Sequence, residues 1–231
     1  MSILKLIESC EVEWKIVEQV FDLKNGYTPS KSNPEYWENG VVDWFRMEDI
    51  RENGRILNSA FQKVSLNAVK GGKLFPANSI IIATSATIGE HALITTPFLA
   101  NQRFTNLALK SSFKDKLDMK FVYYYCFKLC EWCKNNTTMS SFASVDMVGF
   151  KKIPFPIPPL SVQTEIVRIL DAFTALTAEL TAELNLRQKQ YQYYRNKLLS
   201  FDNFSQLNPS LSLSLSLCRQ WFGKLWGRLL I

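Results

Sequence analysis

The residues of this chain best spaced for chemistry are three cysteines and one histidine. Cys130-Glu131-Trp132-Cys133 has the CxxC spacing of redox and zinc sites, and Cys126 lies one helical turn earlier. A structural zinc needs four ligands, however, and the single histidine, His91, is remote in sequence. Positions 126, 130 and 133 fall on one helical face, where free cysteine behaves as a small hydrophobe, so a packed core is the expectation. No nucleophile–base pairing surrounds His91, which is therefore read as a structural residue, and no metal site is expected.

The elements that would hold these residues follow from composition and pattern. In 231 residues, 47% hydrophobic and 13% aromatic content is enough to build a core for one or two domains. Lys and Arg number 27 against 21 Asp and Glu, a net charge of +6. Residues 11–157 hold 18 cations against 15 acids, a surplus of three. That balance permits phosphate contacts without demanding them, because neutralising a phosphate takes local positive charge. Five clustered cysteines, Cys10, Cys126, Cys130, Cys133 and Cys218, disfavour a disulfide framework and suit a reducing cytoplasm. Lys5 and Glu8 interrupt the first apolar run, which excludes a signal peptide, and no run is long enough to span a bilayer.

Residues 2–10 read as a short helix and Glu11–Leu23 as an approach to a strand, with a turn at Asn25-Gly26. Tyr27 to Pro34, rich in Pro and Ser, reads as an exposed loop. Val41–Met47, Ser79–Ala83 and Phe104–Leu109 are predicted strands, Lys70-Gly71-Gly72-Lys73 a tight turn, and Met119–Lys134 a helix packed on the sheet. Four prolines between 154 and 159 predict a stiff connector that closes the domain. Beyond it, Ile166, Ile169, Phe173, Leu176 and Leu180 step by three and four, and the stripe resumes at Leu184, Tyr191, Tyr194 and Leu198. Ser161 is the expected cap of a helix of about 40 residues, about 60 Å long. So long an apolar stripe needs a partner helix. The expected fold is α/β (α+β): a twisted sheet with packed helices over 1–158, a coiled-coil-forming helix over 159–203, and a low-complexity tail over 204–231.

Several weak motifs, in order, carry a family resemblance. Gly26-Tyr27-Thr28-Pro29-Ser30-Lys31, Tyr36-Trp37-Glu38-Asn39-Gly40, and Trp44 with Asp49-Ile50 open it. Ala86-Thr87-Ile88-Gly89, Asn101-Gln102, and Pro156-Ile157-Pro158-Pro159-Leu160 with Gln163 and Ile166 continue it. Arg187-Gln188-Lys189-Gln190-Tyr191, Tyr193-Tyr194-Arg195 and Leu198-Leu199 close it. Together they resemble the specificity subunit of type I restriction-modification systems, in a half-length form with one target-recognition domain. The resemblance implies a non-catalytic reader of double-stranded DNA that needs no cofactor. It also implies docking to a methyltransferase subunit, with a separate restriction motor subunit in the full complex. Family members hold two recognition domains apart on antiparallel helices. One domain and one helix read half a split target, so a second copy pairing its helix antiparallel is the expected partner. Helix length would then set the half-site spacing.

For DNA contact the candidates are Lys24, Tyr27, Thr28, Ser30, Lys31, Arg46, Lys70, Lys73, Ser85, Thr87, Gln102 and Arg103. Arg and Gln suit bidentate contacts to base edges, and Lys, Ser, Thr and glycine-turn amides suit phosphates. Asn33-Pro34-Glu35-Tyr36 resembles the Asn-Pro-Pro-Tyr motif of amino-methyltransferases, the mark of the alternative reading as a stand-alone DNA methyltransferase. Its third position differs, no glycine-rich cofactor loop precedes it, and a loop that positions Tyr36 and Trp37 for packing or DNA contact is preferred. A third reading is a helical adaptor that binds proteins. The tail runs Leu-Ser-Leu-Ser-Leu-Ser-Leu over 211–217, then basic and aromatic residues to Ile231. A surface-seeking amphipathic segment is one reading. The preferred one is the out-of-frame product of a phase-variable CT repeat, with another frame continuing into a second recognition domain; a truncated remnant needing a second domain in trans is the alternative to the self-paired reader.

Overall fold

A computed structural model describes residues 10–138 and 143–200. The expected helix at 2–10 and the Leu-Ser tail therefore lie outside the described residues. In chain order the elements are β1 (Glu13–Ile16), α1 (Val17–Val20), β2 (Phe21–Asn25), β3 (Val42–Phe45), α2 (Met47–Asn53), β4 (Ile56–Leu57) and β5 (Lys63–Val64). Then come β6 (Ser79–Ala83), β7 (His91–Ile94), β8 (Phe98–Ala100), β9 (Phe104–Leu109), α3 (Met119–Asn135), β10 (Thr137–Thr138) and β11 (Ser144–Val145). Helix α4 (Met147–Lys151), β12 (Pro154–Ile157) and α5 (Leu160–Leu199) complete them.

Five strands form the central sheet in the order β2-β9-β6-β7-β4, antiparallel except for the β4–β7 pair. β6 reads Ser-Ile-Ile-Ile-Ala and is buried on both faces, which is why it appears in the sequence as an unbroken apolar run. Alternate side chains serve two cores. Ile80 and Ile82 face α3, meeting Phe121, Val122, Cys126, Leu129, Cys130 and Cys133. Ile81 and Ala83 face Phe45, Met47, Ile50, Phe98 and Ala100. A second sheet, β5-β3-β8, supplies Phe45 and Phe98 to that core and turns Trp44, Val42 and Leu99 into a third, small cluster with Val64 and Ala68. The mixed α/β class expected from the sequence is the one observed.

Three local expectations need correction. Asn25-Gly26 is no turn: Asn25 ends β2, and the chain runs on, with the N–H of Gly26 donating to the Phe104 carbonyl and that of Tyr27 to the Ala100 carbonyl, both at 2.8 Å. A Cβ on Gly26 would collide with the backbone of Ala100 and Asn101. The proline run contains a strand, β12, whose Pro156 stands opposite Trp14 of β1 in a two-stranded ribbon. Proline survives there because the pair is an edge rather than the middle of a sheet. Ser161 lies inside α5 rather than capping it; the carbonyl of Pro159 accepts from the N–H of Val162 (2.9 Å) and Gln163 (3.1 Å).

By internal contacts the chain divides into two compact units, Met1–Phe173 and Thr174–Ile231. The first unit includes the opening turns of α5, where Val162 and Gln163 are buried and Ile166 packs on the α3-facing core. Lys120 and Tyr124 of α3 both bind the carboxylate of Asp171, at 2.6 and 2.7 Å. In the second unit the helix continues with Leu176, Leu180, Leu184, Tyr191, Tyr194 and Leu198 all half exposed or more. No described helix is long and apolar enough to cross a membrane.

Candidate nucleic-acid interface

Three segments of the first unit converge on one open cleft of about 690 Å³. The loop after β2 brings Thr28 and Lys31, the start of α2 brings Arg46 and Glu48, and the β8–β9 turn brings Asn101, Gln102 and Arg103. Trp37, Glu38, Trp44 and Gln62 complete the lining that matters to its chemistry. Three cations thus face two carboxylates. The parallel pairing of β3 with β8 makes this possible, because it sets Phe45 beside Ala100 and so carries Arg46 and Asn101 to the same end of the sheet.

The floor is rigid and aromatic. Trp37 and Trp44 pack edge to face at 5.1 Å, and Trp44 Nε1 donates to the Tyr27 carbonyl at 3.0 Å. The guanidinium of Arg46 lies 5.7 Å from the Trp44 ring centre, a cation–π arrangement. Its backbone is fixed from the other side. Asp49, fully buried, accepts the N–H of Arg46 through Oδ2 and that of Phe61 through Oδ1, both at 2.7 Å. Arg46 Nε is buried with no hydrogen-bond partner among the described residues, the Glu48 carboxylate standing off at 3.9 Å. Across the cleft, the Thr28 hydroxyl bonds the Gln102 side-chain oxygen, and Asn101 Oδ1 accepts from the N–H of Arg103 at 3.0 Å. Arginine and side-chain amides are among the groups able to contact base edges.

Five of the twelve candidates, Thr28, Lys31, Arg46, Gln102 and Arg103, therefore meet in this cleft. Tyr27 and Lys70 form a separate pair: the Tyr27 hydroxyl accepts from the Lys70 N–H at 2.9 Å, and the Lys70 ammonium sits 4.7 Å over the ring. Ser30 is spent locally, its hydroxyl on Ser32 and its carbonyl on Trp37 Nε1. Lys24, opposite Asn106 in the β2–β9 register, and Lys73 are exposed and outside the cleft. Ser85 bridges to Ser144, and Thr87 lines a second cleft. Trp37, expected to serve packing or DNA contact, lines the cleft, whereas Gln62 in the lining and Asp49 behind Arg46 are not expected from the sequence. The Trp-to-Asp spacing of the 44–50 segment was the one available signal.

The residues with catalytic spacing are packing residues. Burial pushes the Cys126 and Cys130 thiols far up and Cys133 to about 12. His91, fully buried with Nδ1 3.3 Å from Cys130 Sγ, is driven down to about 4 by burial and then by the charge of Arg55. No cluster among the described residues could hold a metal ion. Asn33 caps the short 3-10 turn Pro34–Tyr36, its Oδ1 accepting from Glu35 N–H at 3.2 Å, so that tetrapeptide is a turn that packs Tyr36 and Trp37 on the third core cluster.

The first unit is thus an α+β domain whose cleft sets three cations and two carboxylates over an aromatic floor. Residues 11–187 match the type I restriction modification DNA specificity domain, and the chain belongs to that family. It is 66% identical over 208 residues to the type I restriction enzyme EcoprrI specificity subunit of Escherichia coli, covering 85% of this chain and 52% of that protein. It is 34% identical to the EcoR124I/EcoR124II specificity subunit of the same species, covering 83% and 49%. The chain thus spans about half the length of these relatives. Its fold resembles a chain in a structure that describes complex assembly and conformational transition of the type I R-M system (TM-score 0.63, 17% identity, 83% of this chain and 48% of that one). It also resembles the HsdS subunit from Thermoanaerobacter tengcongensis (TM-score 0.57, 20% identity, 74% and 39%).

Proposed function

We propose that this chain reads one half of a split double-stranded DNA target, without catalysis of its own, as part of a cytoplasmic type I restriction-modification complex. It docks a methyltransferase subunit, and through it works beside a restriction motor subunit. One observation carries the reading: Lys31, Arg46 and the pair Gln102-Arg103, from three separate segments, line one cleft with Trp44 in a domain of the DNA specificity family. Lys31 suits a phosphate, and Arg46 with Gln102 and Arg103 suits base edges. A second copy completes the reader by pairing helices antiparallel, which would bury the stripe of Leu176, Leu180, Leu184, Tyr191, Tyr194 and Leu198.

The test is selection of duplexes from a random pool by the full chain together with its methyltransferase subunit. Enrichment of a defined motif is expected. The combined variant Lys31→Ala, Arg46→Ala, Arg103→Ala is expected to lose that enrichment while still binding the methyltransferase. If the variant selects the same motif as the parent, the cleft is not the reader.

A further inference from the structure

Helix α2 has a cleft on either side. Met47 and Glu48 line the first; Ile50, Arg51 and Gly54 line a second, completed by Arg55, the loop Ala86-Thr87-Ile88, Glu90, Lys134 and Thr137. The two are continuous with one framework, because the N–H of Thr84 donates to the Arg103 carbonyl at 2.9 Å and so ties the second cleft's loop to the first cleft's arginine.

The second cleft is differently equipped. Arg55 is committed to Glu90 (2.5 Å) and to the His91 carbonyl (3.2 Å). Arg51 and Lys134, both exposed, have no ion pair among the described residues. Lys134 is seated rather than loose: a Cβ on Gly89 would collide with its stem and come within 2.9 Å of the Cys130 carbonyl. Gly89, at φ 87°, thus gives the family-like Ala-Thr-Ile-Gly segment a physical purpose, a flat backbone over which the lysine stem lies. The Thr87 hydroxyl is buried with no hydrogen-bond partner among the described residues, a deficit that rotation toward an incoming acceptor would relieve. With Arg55 held by Glu90, this cleft offers two exposed cations and a hydroxyl, groups that bind phosphate oxygens, and it has no aromatic floor of tryptophan.

We infer that this second cleft is a phosphate seat: Arg51 and Lys134, with Thr87, grip the sugar-phosphate backbone of the same duplex whose bases the first cleft reads. The inference rests on the DNA-reading function proposed above. It divides labour across α2, Arg46 at its start specifying sequence and Arg51 in its last turn positioning the duplex irrespective of sequence.

The test compares Arg51→Gln with Lys134→Gln, as a double variant of the full chain, on the selected-motif duplex and an unrelated duplex across a salt series. Both affinities are expected to fall by the same factor, and the slope of log affinity against log salt to become shallower by about 1.8, at about 0.9 per phosphate contact. The charge-keeping pair Arg51→Lys with Lys134→Arg is expected to restore the slope, which separates lost charge from lost folding. An unchanged slope, or a loss confined to the motif duplex, overturns the inference. Arg46→Ala run in parallel identifies which reading has failed. If it abolishes discrimination while the double variant behaves as the parent, only the phosphate seat falls. If both variants bind both duplexes as the parent does, the two readings fall together.

Discussion

Gln163→Ala perturbs a buried residue that seats the first turn of α5. The side chain is fully buried, and its amide is satisfied three times: Oε1 accepts from Asp118 N–H at 2.8 Å, while Nε2 donates to the carbonyls of Lys116 (2.8 Å) and Pro158 (2.7 Å). One side chain thereby ties the approach to α3, the end of the proline-rich strand and the first turn of α5. Three neutral bonds at about 1 kcal/mol each give an expected loss of about 3 kcal/mol, a large share of a typical total of about 5–15 kcal/mol. Urea unfolding followed by tryptophan fluorescence should show the midpoint falling by about 1 M, for a slope of about 2–3 kcal/mol per M. Gln163→Glu makes the test sharper. It keeps the volume but turns the donor into an acceptor facing two carbonyls, so it should be at least as damaging at neutral pH and recover partly in acid, where the carboxyl carries a proton to donate. A loss below about 1 kcal/mol in the alanine variant, or a glutamate variant with no pH dependence, would refute this account of the clasp.

Two further outcomes follow from named residues. His91 is held neutral, with its pKa lowered from 6.5 to about 4, so the unfolded chain takes up a proton first. Stability is therefore full above about pH 6.5 and declines as pH falls toward about 4, by about 3 kcal/mol in all at 1.36 kcal/mol per pK unit. His91→Phe should flatten that part of the stability–pH profile, and an unchanged slope would contradict the assignment. On the second unit's stripe, Leu180→Asp with Leu184→Asp should shift sedimentation equilibrium from dimer to monomer while leaving the near-ultraviolet spectrum of the recognition domain intact; a dimer that persists rejects the helix as the self-association surface.

What the sequence made legible was whatever rests on local pattern. β6 and β9 stand where apolar runs predict them, α3 matches its predicted ends within a residue, and α5 has the predicted length of about 40 residues, because burial imprints period and length on the chain. The two-residue strands β4 and β5 have no such imprint, since backbone pairing to distant partners creates them. β12 defied the proline rule through its edge position. At the site, residue types and order pointed to Lys31, Arg46 and Arg103, but their meeting depends on the β3–β8 crossover, which no local pattern encodes. Asp49 was visible only as a motif letter. Its work, accepting two backbone N–H groups behind Arg46, exists only once Phe61 is folded back beside it. Arg51 and Lys134 were legible as surface charges alone, because their nearness is created by α3 packing over the loop that ends at Gly89.

The central claim is that one domain of this chain specifies half of a DNA target. Methylome sequencing of cells expressing the chain with its methyltransferase subunit, and no other specificity subunit, tests it most directly. The account predicts a split motif whose two halves are symmetric, and its loss in the combined Lys31, Arg46 and Arg103 variant. Methylation without a sequence motif, or the same motif in that variant, would contradict it.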